Sequence, residues 1–126
     1  MLDICIGLLK DTIEFVIKKK EINEQKKMKV SLVLEELSDI IKNTADLLSK
    51  DEYPHFNCSL MEKMSDRLHF YLIDYVPTEQ LDELHGLLKE SSQIEKQFAI
   101  RKEKDTIPKL YEASASLKSI SLLLKI

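Results

Sequence analysis

The most regular apolar repeat of the chain lies in residues 30–48, VSLVLEELSDIIKNTADLL. Its apolar side chains recur at steps of three and four residues, which places them along one face of an α-helix. That face consists of Val30, Leu34, Leu37, Ile41 and Leu48, with Ile40 and Leu47 beside it. Most other positions are acidic or polar, so the stretch is predicted to be an amphipathic helix with one buried side.

Pro54 separates this helix from the next one. Proline disfavours helical geometry at the residue before it, and Asn57 or Ser59 is predicted to cap a third helix. Ser59 with Glu62 three residues later has the form of a capping box.

Two further helices are predicted after Pro77. Thr78 marks the start of the fourth helix, whose apolar positions extend to Ile94 and Phe98. Asp105 or Thr106 is predicted to cap a fifth helix with Pro108 in its first turn.

The composition agrees with an all-α fold. The 126 residues contain only 2 Gly and 3 Pro, too few turn residues for a sandwich or barrel of short strands. We predict one domain, residues 1–126, folded as an up-and-down bundle of four or five helices. The number stays open because no proline interrupts the first fifty residues, so the first two helices are alternatively one. The predicted core is Leu9, Ile13, Ile17, Leu34, Leu37, Ile41, Leu68, Leu72, Leu84, Leu88, Leu117 and Leu124.

Several functional classes are disfavoured by the sequence. A net charge of −3 argues against a nucleic-acid-binding domain. The isolated glycines Gly7 and Gly86 cannot form a phosphate-binding loop or a nucleophile elbow, and no cofactor is predicted. Two cysteines, no signal peptide and no long apolar segment favour a cytoplasmic protein.

Metal binding is the main catalytic alternative. His55-x-x-Cys58, Asp66-x-x-His69 and Asp82-x-x-His85 have ligand-like spacing. No second cysteine pair completes a tetrahedral site, and such carboxylate–histidine pairs are more often surface hydrogen bonds. We therefore predict no metal site and no enzyme, with a metal-dependent or nuclease-like activity as the alternative.

The first helix and the lysines after it form a candidate interaction region. In residues 2–17, the charged side chains occupy an arc of about 100° and leave about 220° apolar or small. This favours a central helix packed on most sides; the alternative is a helix that also binds a membrane surface or a second subunit. The candidate contacts to an anionic surface are Lys18, Lys19, Lys20, Lys26, Lys27 and Lys29.

The turn Tyr53-Pro54-His55-Phe56-Asn57-Cys58 resembles one in an N-terminal helical domain of bacterial, notably cyanobacterial, multidomain proteins. In that family a Tyr-Pro-His-x-x-Cys turn links two amphipathic helices. The resemblance implies an interaction role in bacterial defence or signalling and supplies no catalytic site. We interpret Tyr53, His55 and Cys58 as loop anchors packed on the bundle.

The sequence as a whole thus predicts a non-catalytic helical interaction or regulatory module. By architecture alone, such a bundle is also similar to the executioner bundles of necroptosis-type pseudokinases and fungal cell-death proteins. The alternative function is a membrane-targeting effector that uses the first helix and residues 18–29. The apolar ending Leu122-Leu123-Leu124-Lys125-Ile126 further predicts burial by a protein partner or by self-association, with a following domain of a longer protein as the alternative.

Overall fold

A computed structural model describes residues 2–92 and 106–125 of the chain. These ranges contain five helices and no strand: α1 (Leu2–Lys19), α2 (Glu24–Ser49), α3 (His55–Leu72), α4 (Thr78–Ser91) and α5 (Thr106–Leu123). The predicted all-α class is confirmed.

The five helices form a closed ring. The main contacts join α5 to α2, α2 to α3, α3 to α4, α4 to α1 and α1 to α5. Asn57 at the start of α3 contacts Asn43 near the end of α2, and His85 of α4 contacts Asp66 of α3, so these neighbours are antiparallel. The helix direction therefore alternates along the chain, as in the predicted up-and-down bundle, and α1 runs parallel to α5.

The core lies inside this ring. Eleven of the twelve predicted core side chains are buried, and the exception, Ile17, is half-buried and packs against the core. Helix α1 is buried along one face instead of on most sides, because its neighbours are α4 and α5. Its face of Cys5, Leu9, Ile13 and Val16 is buried, whereas Ile4 is exposed.

Small polar side chains hold α2 against α5. The Ser38 hydroxyl donates to the carbonyl oxygen of Ser114 at 2.7 Å, and the Ser114 hydroxyl donates to the carbonyl oxygen of Ser38 at 2.8 Å. Seven residues away on each helix, the Ser31 hydroxyl donates to the carbonyl oxygen of Ser121 at 3.0 Å. Serine at these positions lets the two backbones approach closely. Each of the four serine hydroxyls in this α2–α5 seam also donates a hydrogen bond.

Two residues in the left-handed conformation end helices. Lys20 has a φ of 54°, and Asn23 then caps α2 by accepting a hydrogen bond from the backbone N–H of Lys26 at 2.8 Å. The alternative of one continuous first helix is therefore wrong. Asp51 has a φ of 58° and follows α2 in a Schellman motif, in which the N–H of Glu52 reaches the carbonyl of Leu47 at 2.9 Å.

The predicted start of α3 differs from the structure. Helix α3 begins at His55, before Asn57 and Ser59, and no side chain caps it. Asn57 does not cap because it is buried and its amide group donates instead to Asn43 and Thr44 of α2.

Helix α4 ends at Ser91, with Ser92 as its C-cap. The predicted continuation through Ile94 and Phe98, and the candidate cap Asp105, lie outside the described residues. Helix α5 begins at Thr106, so Thr106 is its first helical residue instead of its cap, and Pro108 lies in the first turn as predicted.

Candidate functional site

Segments that are far apart in the sequence lie together at one end of the bundle. The link between α1 and α2 lies there, and Lys26 Nζ is 3.7 Å from the Asp74 carboxylate just after α3. Ser31, two turns into α2, reaches Ser121 in the last turn of α5. We call this surface the lysine-rich end; it comprises residues 18–29, 70–79 and 122–125.

The six candidate lysines all lie at this end, but they differ in their surroundings. Lys18, Lys19, Lys20 and Lys29 are exposed, whereas Lys26 and Lys27 are half-buried. The ammonium group of Lys27 is 3.6 Å from Glu24. The charge of Lys27 is thus partly neutralised by an ion pair, as is that of Lys26 by Asp74.

Three of these lysines lie over aromatic rings. The distance from Nζ to the ring centre is 5.5 Å for Lys19 over Phe15. It is 5.4 Å for Lys26 over Tyr75 and 6.0 Å for Lys29 over Tyr71. Such cation–π contacts orient the ammonium groups without removing their charge.

The charge of this end differs in sign from that of the rest of the chain. The three segments of this end contain seven lysines and four acidic residues, whereas the remaining sequence contains 12 basic and 18 acidic residues. An acidic protein thus carries a local positive surface, which can attract an anionic partner that the rest of the molecule repels.

Exposed apolar side chains accompany these lysines. Phe70 is 70% exposed and Ile73 is 51% exposed at the end of α3, and Met28 and Leu122 are also exposed. Isolated apolar side chains on a surface are ordinary, but several around one charged surface are typical of an interaction site.

Histidines and aspartates form a separate cluster between α3 and α4. Each Asp-x-x-His pair is joined to the pair of the other helix: His85 Nε2 is 2.7 Å from Asp66 Oδ1, and His69 Nε2 is 3.4 Å from Asp82 Oδ1. The imidazole rings are 4.6 Å apart between centroids. The hydrogen bond from His85 lowers the pKa of the Asp66 carboxyl, and Lys89 at 3.4 Å lowers it further.

Both Asp-x-x-His spacings are visible in the sequence, but their crossed pairing is not. The signal that could have found it is the identical spacing on two antiparallel neighbours. In the described ranges, no group of three or more His, Cys, Asp or Glu side chains is arranged to hold a metal ion. The contacts of the cluster are two His–Asp hydrogen bonds and the Lys89–Asp66 ion pair, which join α3 to α4.

The predicted loop anchors lie around the start of α3. Tyr53 is exposed, and its ring centroid is 6.1 Å from that of His55, the first residue of the helix. Cys58 is half-buried in the first turn and packs against the core. Pro54 and Asn57 are the buried residues of this turn, so they, and not Tyr53 or His55, are its most buried side chains.

The other cysteine lies inside the bundle. Cys5 lines a small internal cavity together with Ser91, whose hydroxyl faces the thiol. Burial raises the pKa of the Cys5 thiol to about 11. The thiol is therefore protonated at neutral pH, and Cys5 is not an activated nucleophile.

The apolar C-terminal sequence is only partly covered by the bundle. Leu124 is buried in the core, whereas Leu122 is exposed; Ile126 lies outside the described residues. Self-association through this region stays a prediction. In the parts of the chain that the structure describes, no helix has the length and apolar character needed to cross a membrane.

The chain matches no family model, and no curated protein or solved structure is significantly similar to it. The resemblance of the Tyr53–Cys58 turn to bacterial N-terminal helical domains therefore stays a prediction.

Proposed function

We propose that this protein is a non-catalytic interaction module whose working surface is the lysine-rich end. One observation carries the proposal: six lysines lie at one end of the bundle together with exposed apolar side chains of α2, α3 and α5. The partner is an anionic surface, since charge complementarity favours contact with this end over the acidic remainder.

A module of this kind needs a rigid scaffold and an accessible surface. The scaffold is the closed ring of helices, and the lysines lie where α1 ends and α2 begins. The His–Asp cluster contributes to this scaffold, because its hydrogen bonds join α3 to α4. A metal-dependent or nuclease-like activity stays the alternative.

The proposal is tested by mapping where an anionic probe binds. We suggest titrating the isotopically labelled full chain with polyglutamate and following amide chemical shifts. Shifts concentrated in residues 18–29 and 70–79 are expected. Shifts centred on the opposite end of the bundle, around residues 50–62, would contradict the proposal, as would no binding to polyglutamate or to anionic vesicles at low salt.

The biological setting is a separate hypothesis. A role in bacterial defence or signalling rests on the resemblance of the turn at Pro54 alone, and we retain it as a prediction together with a cytoplasmic location. Activity of the native host's defence response after deletion of this chain is the measurement that tests it.

A further inference from the structure

We infer that the lysine-rich end binds an anionic lipid bilayer, and that it does so with α1 still packed in the bundle. This inference rests on the proposed function and names the partner of the same surface. It differs from a membrane-targeting effector that releases its first helix, because every group it uses is already on the outside of the closed bundle.

Aromatic residues accompany the lysines of this end. Of the seven aromatic residues that the structure describes, Phe70, Tyr71 and Tyr75 lie at the lysine-rich end, and Phe15 lies beside it under Lys19. Three of these rings have a lysine ammonium above them. Aromatic rings and long-stemmed lysines are the side chains favoured at a membrane–water interface, because both combine an apolar body with a polar tip.

The last turn of α3 supplies the side chains that would enter the bilayer. Phe70 and Ile73 are exposed where α3 ends, one helical turn apart. The apolar boundary of a bilayer accepts such side chains without a matching shape, whereas a protein partner needs a complementary surface. Insertion adds an apolar contribution to the attraction between lysines and anionic headgroups.

The burial of α1 argues against release of this helix. Cys5, Leu9 and Ile13 have no exposed surface, and Val16 has 1%. The Gln80 side chain of α4 also donates a hydrogen bond to Thr12 of α1 at 3.1 Å. Opening the bundle would expose the faces of α4 and α5 that α1 covers, whereas contact through the lysine-rich end needs no such opening.

The test compares two phenylalanines of the same helix. Phe70 lies at the lysine-rich end, and Phe56, which is 74% exposed, lies at the other end of α3. The full-length variants Phe70→Ser and Phe56→Ser are co-sedimented with vesicles of phosphatidylserine and phosphatidylcholine. We expect Phe70→Ser to weaken binding about tenfold and Phe56→Ser to bind like the wild type, with unchanged circular dichroism for both.

Further measurements separate the failure of this inference from that of the proposed function. Polyglutamate binding should be equal in Phe70→Ser and the wild type. Polyglutamate binding at the lysine-rich end without vesicle binding would overturn the inference, leave the proposed function standing and indicate an acidic protein partner. Equal loss of vesicle binding in both variants would also overturn it.

Hydrogen exchange of the vesicle-bound protein tests the state of α1. The amides of residues 9–16 are expected to keep the protection they have in the free protein. Loss of that protection on vesicles would overturn the inference in favour of a mechanism that releases the first helix.

Discussion

Ser38 and Ser114 each donate a hydrogen bond to the other's main-chain carbonyl across the α2–α5 seam, and their hydroxyl oxygens are 2.9 Å apart. Because the pair is buried, water competes little for these hydrogen bonds. A small side chain at each position is also what lets the two helices approach.

Replacing Ser38 should therefore weaken the bundle in two different ways. Ser38→Ala removes the donated bond and should lower the free energy of unfolding by about 1 kcal/mol. Ser38→Leu also forces the helices apart and should cost about 1–3 kcal/mol through overpacking. Urea unfolding measures both. The exposed Ser119→Leu on α5 is the matched control, and a cost there equal to that of Ser38→Leu would show that the seam is not closely packed.

The core assignment predicts a contrast between leucines of the same helix. Leu37 is 2% exposed, whereas Leu32 is 48% exposed. Leu37→Ala should lower the free energy of unfolding by about 2–5 kcal/mol, as should Leu72→Ala in α3. Leu32→Ala should change it by less than about 0.5 kcal/mol. Similar costs for Leu37→Ala and Leu32→Ala in thermal or urea unfolding would mean that the wrong face of α2 was assigned to the core.

The crossed His–Asp cluster predicts a change in how the Asp66 carboxyl titrates at acidic pH. Because the hydrogen bond from His85 lowers the pKa of Asp66 below its ordinary value of 3.8, the Asp66 carboxyl should titrate below that value in a carbon-13 NMR titration. In His85→Ala the midpoint should move up toward 3.8. An Asp66 midpoint that is the same in both proteins would show that the hydrogen bond does not form in solution.

The same shift has a consequence for stability. A carboxyl with a lowered folded-state pKa stabilises the protein above its unfolded-state pKa, and this contribution is lost as the pH falls through the folded-state value. Asp66→Asn should thus be slightly less stable than the wild type at pH 7, by less than about 1 kcal/mol because the pair is at the surface. The difference should shrink as the pH is lowered below about 4. A difference that persists undiminished at pH 2 would assign the effect to packing.

The left-handed residue after α2 predicts a stabilising substitution. Asp51 has a φ of 58°, a conformation that glycine adopts without steric cost. Asp51→Gly should therefore raise the free energy of unfolding by about 0.5 kcal/mol. Glu36→Gly, at an exposed position inside α2, should lower it by about as much. Destabilisation of both variants in thermal unfolding would show that Asp51 is not held in the Schellman motif.

The periodicity of the sequence was sufficient to identify the buried faces but not the neighbours of each helix. The spacing of Leu34 and Leu37 fixes which side of α2 faces inward, because 3.6 residues make one turn. It contains no information on the partner helix. Consecutive helices were expected to be neighbours, yet α1 packs mainly on α4 and α5.

The candidate site depends on which helices are neighbours, and the sequence does not show this. The six lysines were visible in the sequence, but Phe70 and Tyr75 are more than forty residues away and join them only because the end of α3 lies beside the start of α2. Local capping rules failed at Asn57 for a similar reason: a contact with α2 competed with the cap.

Charge reversal tests most directly whether the lysine-rich end is the working surface. The triple variant Lys18→Glu, Lys19→Glu, Lys20→Glu is compared with Lys42→Glu, Lys63→Glu, Lys109→Glu, which changes three exposed lysines elsewhere and alters the net charge equally. Binding to polyglutamate and to phosphatidylserine vesicles is measured for each. We predict a loss of about 100-fold or more for the first triple variant and a change of less than about threefold for the second. Equal losses in the two variants would contradict the account, because binding would then follow net charge and not the end of the bundle where the lysines meet.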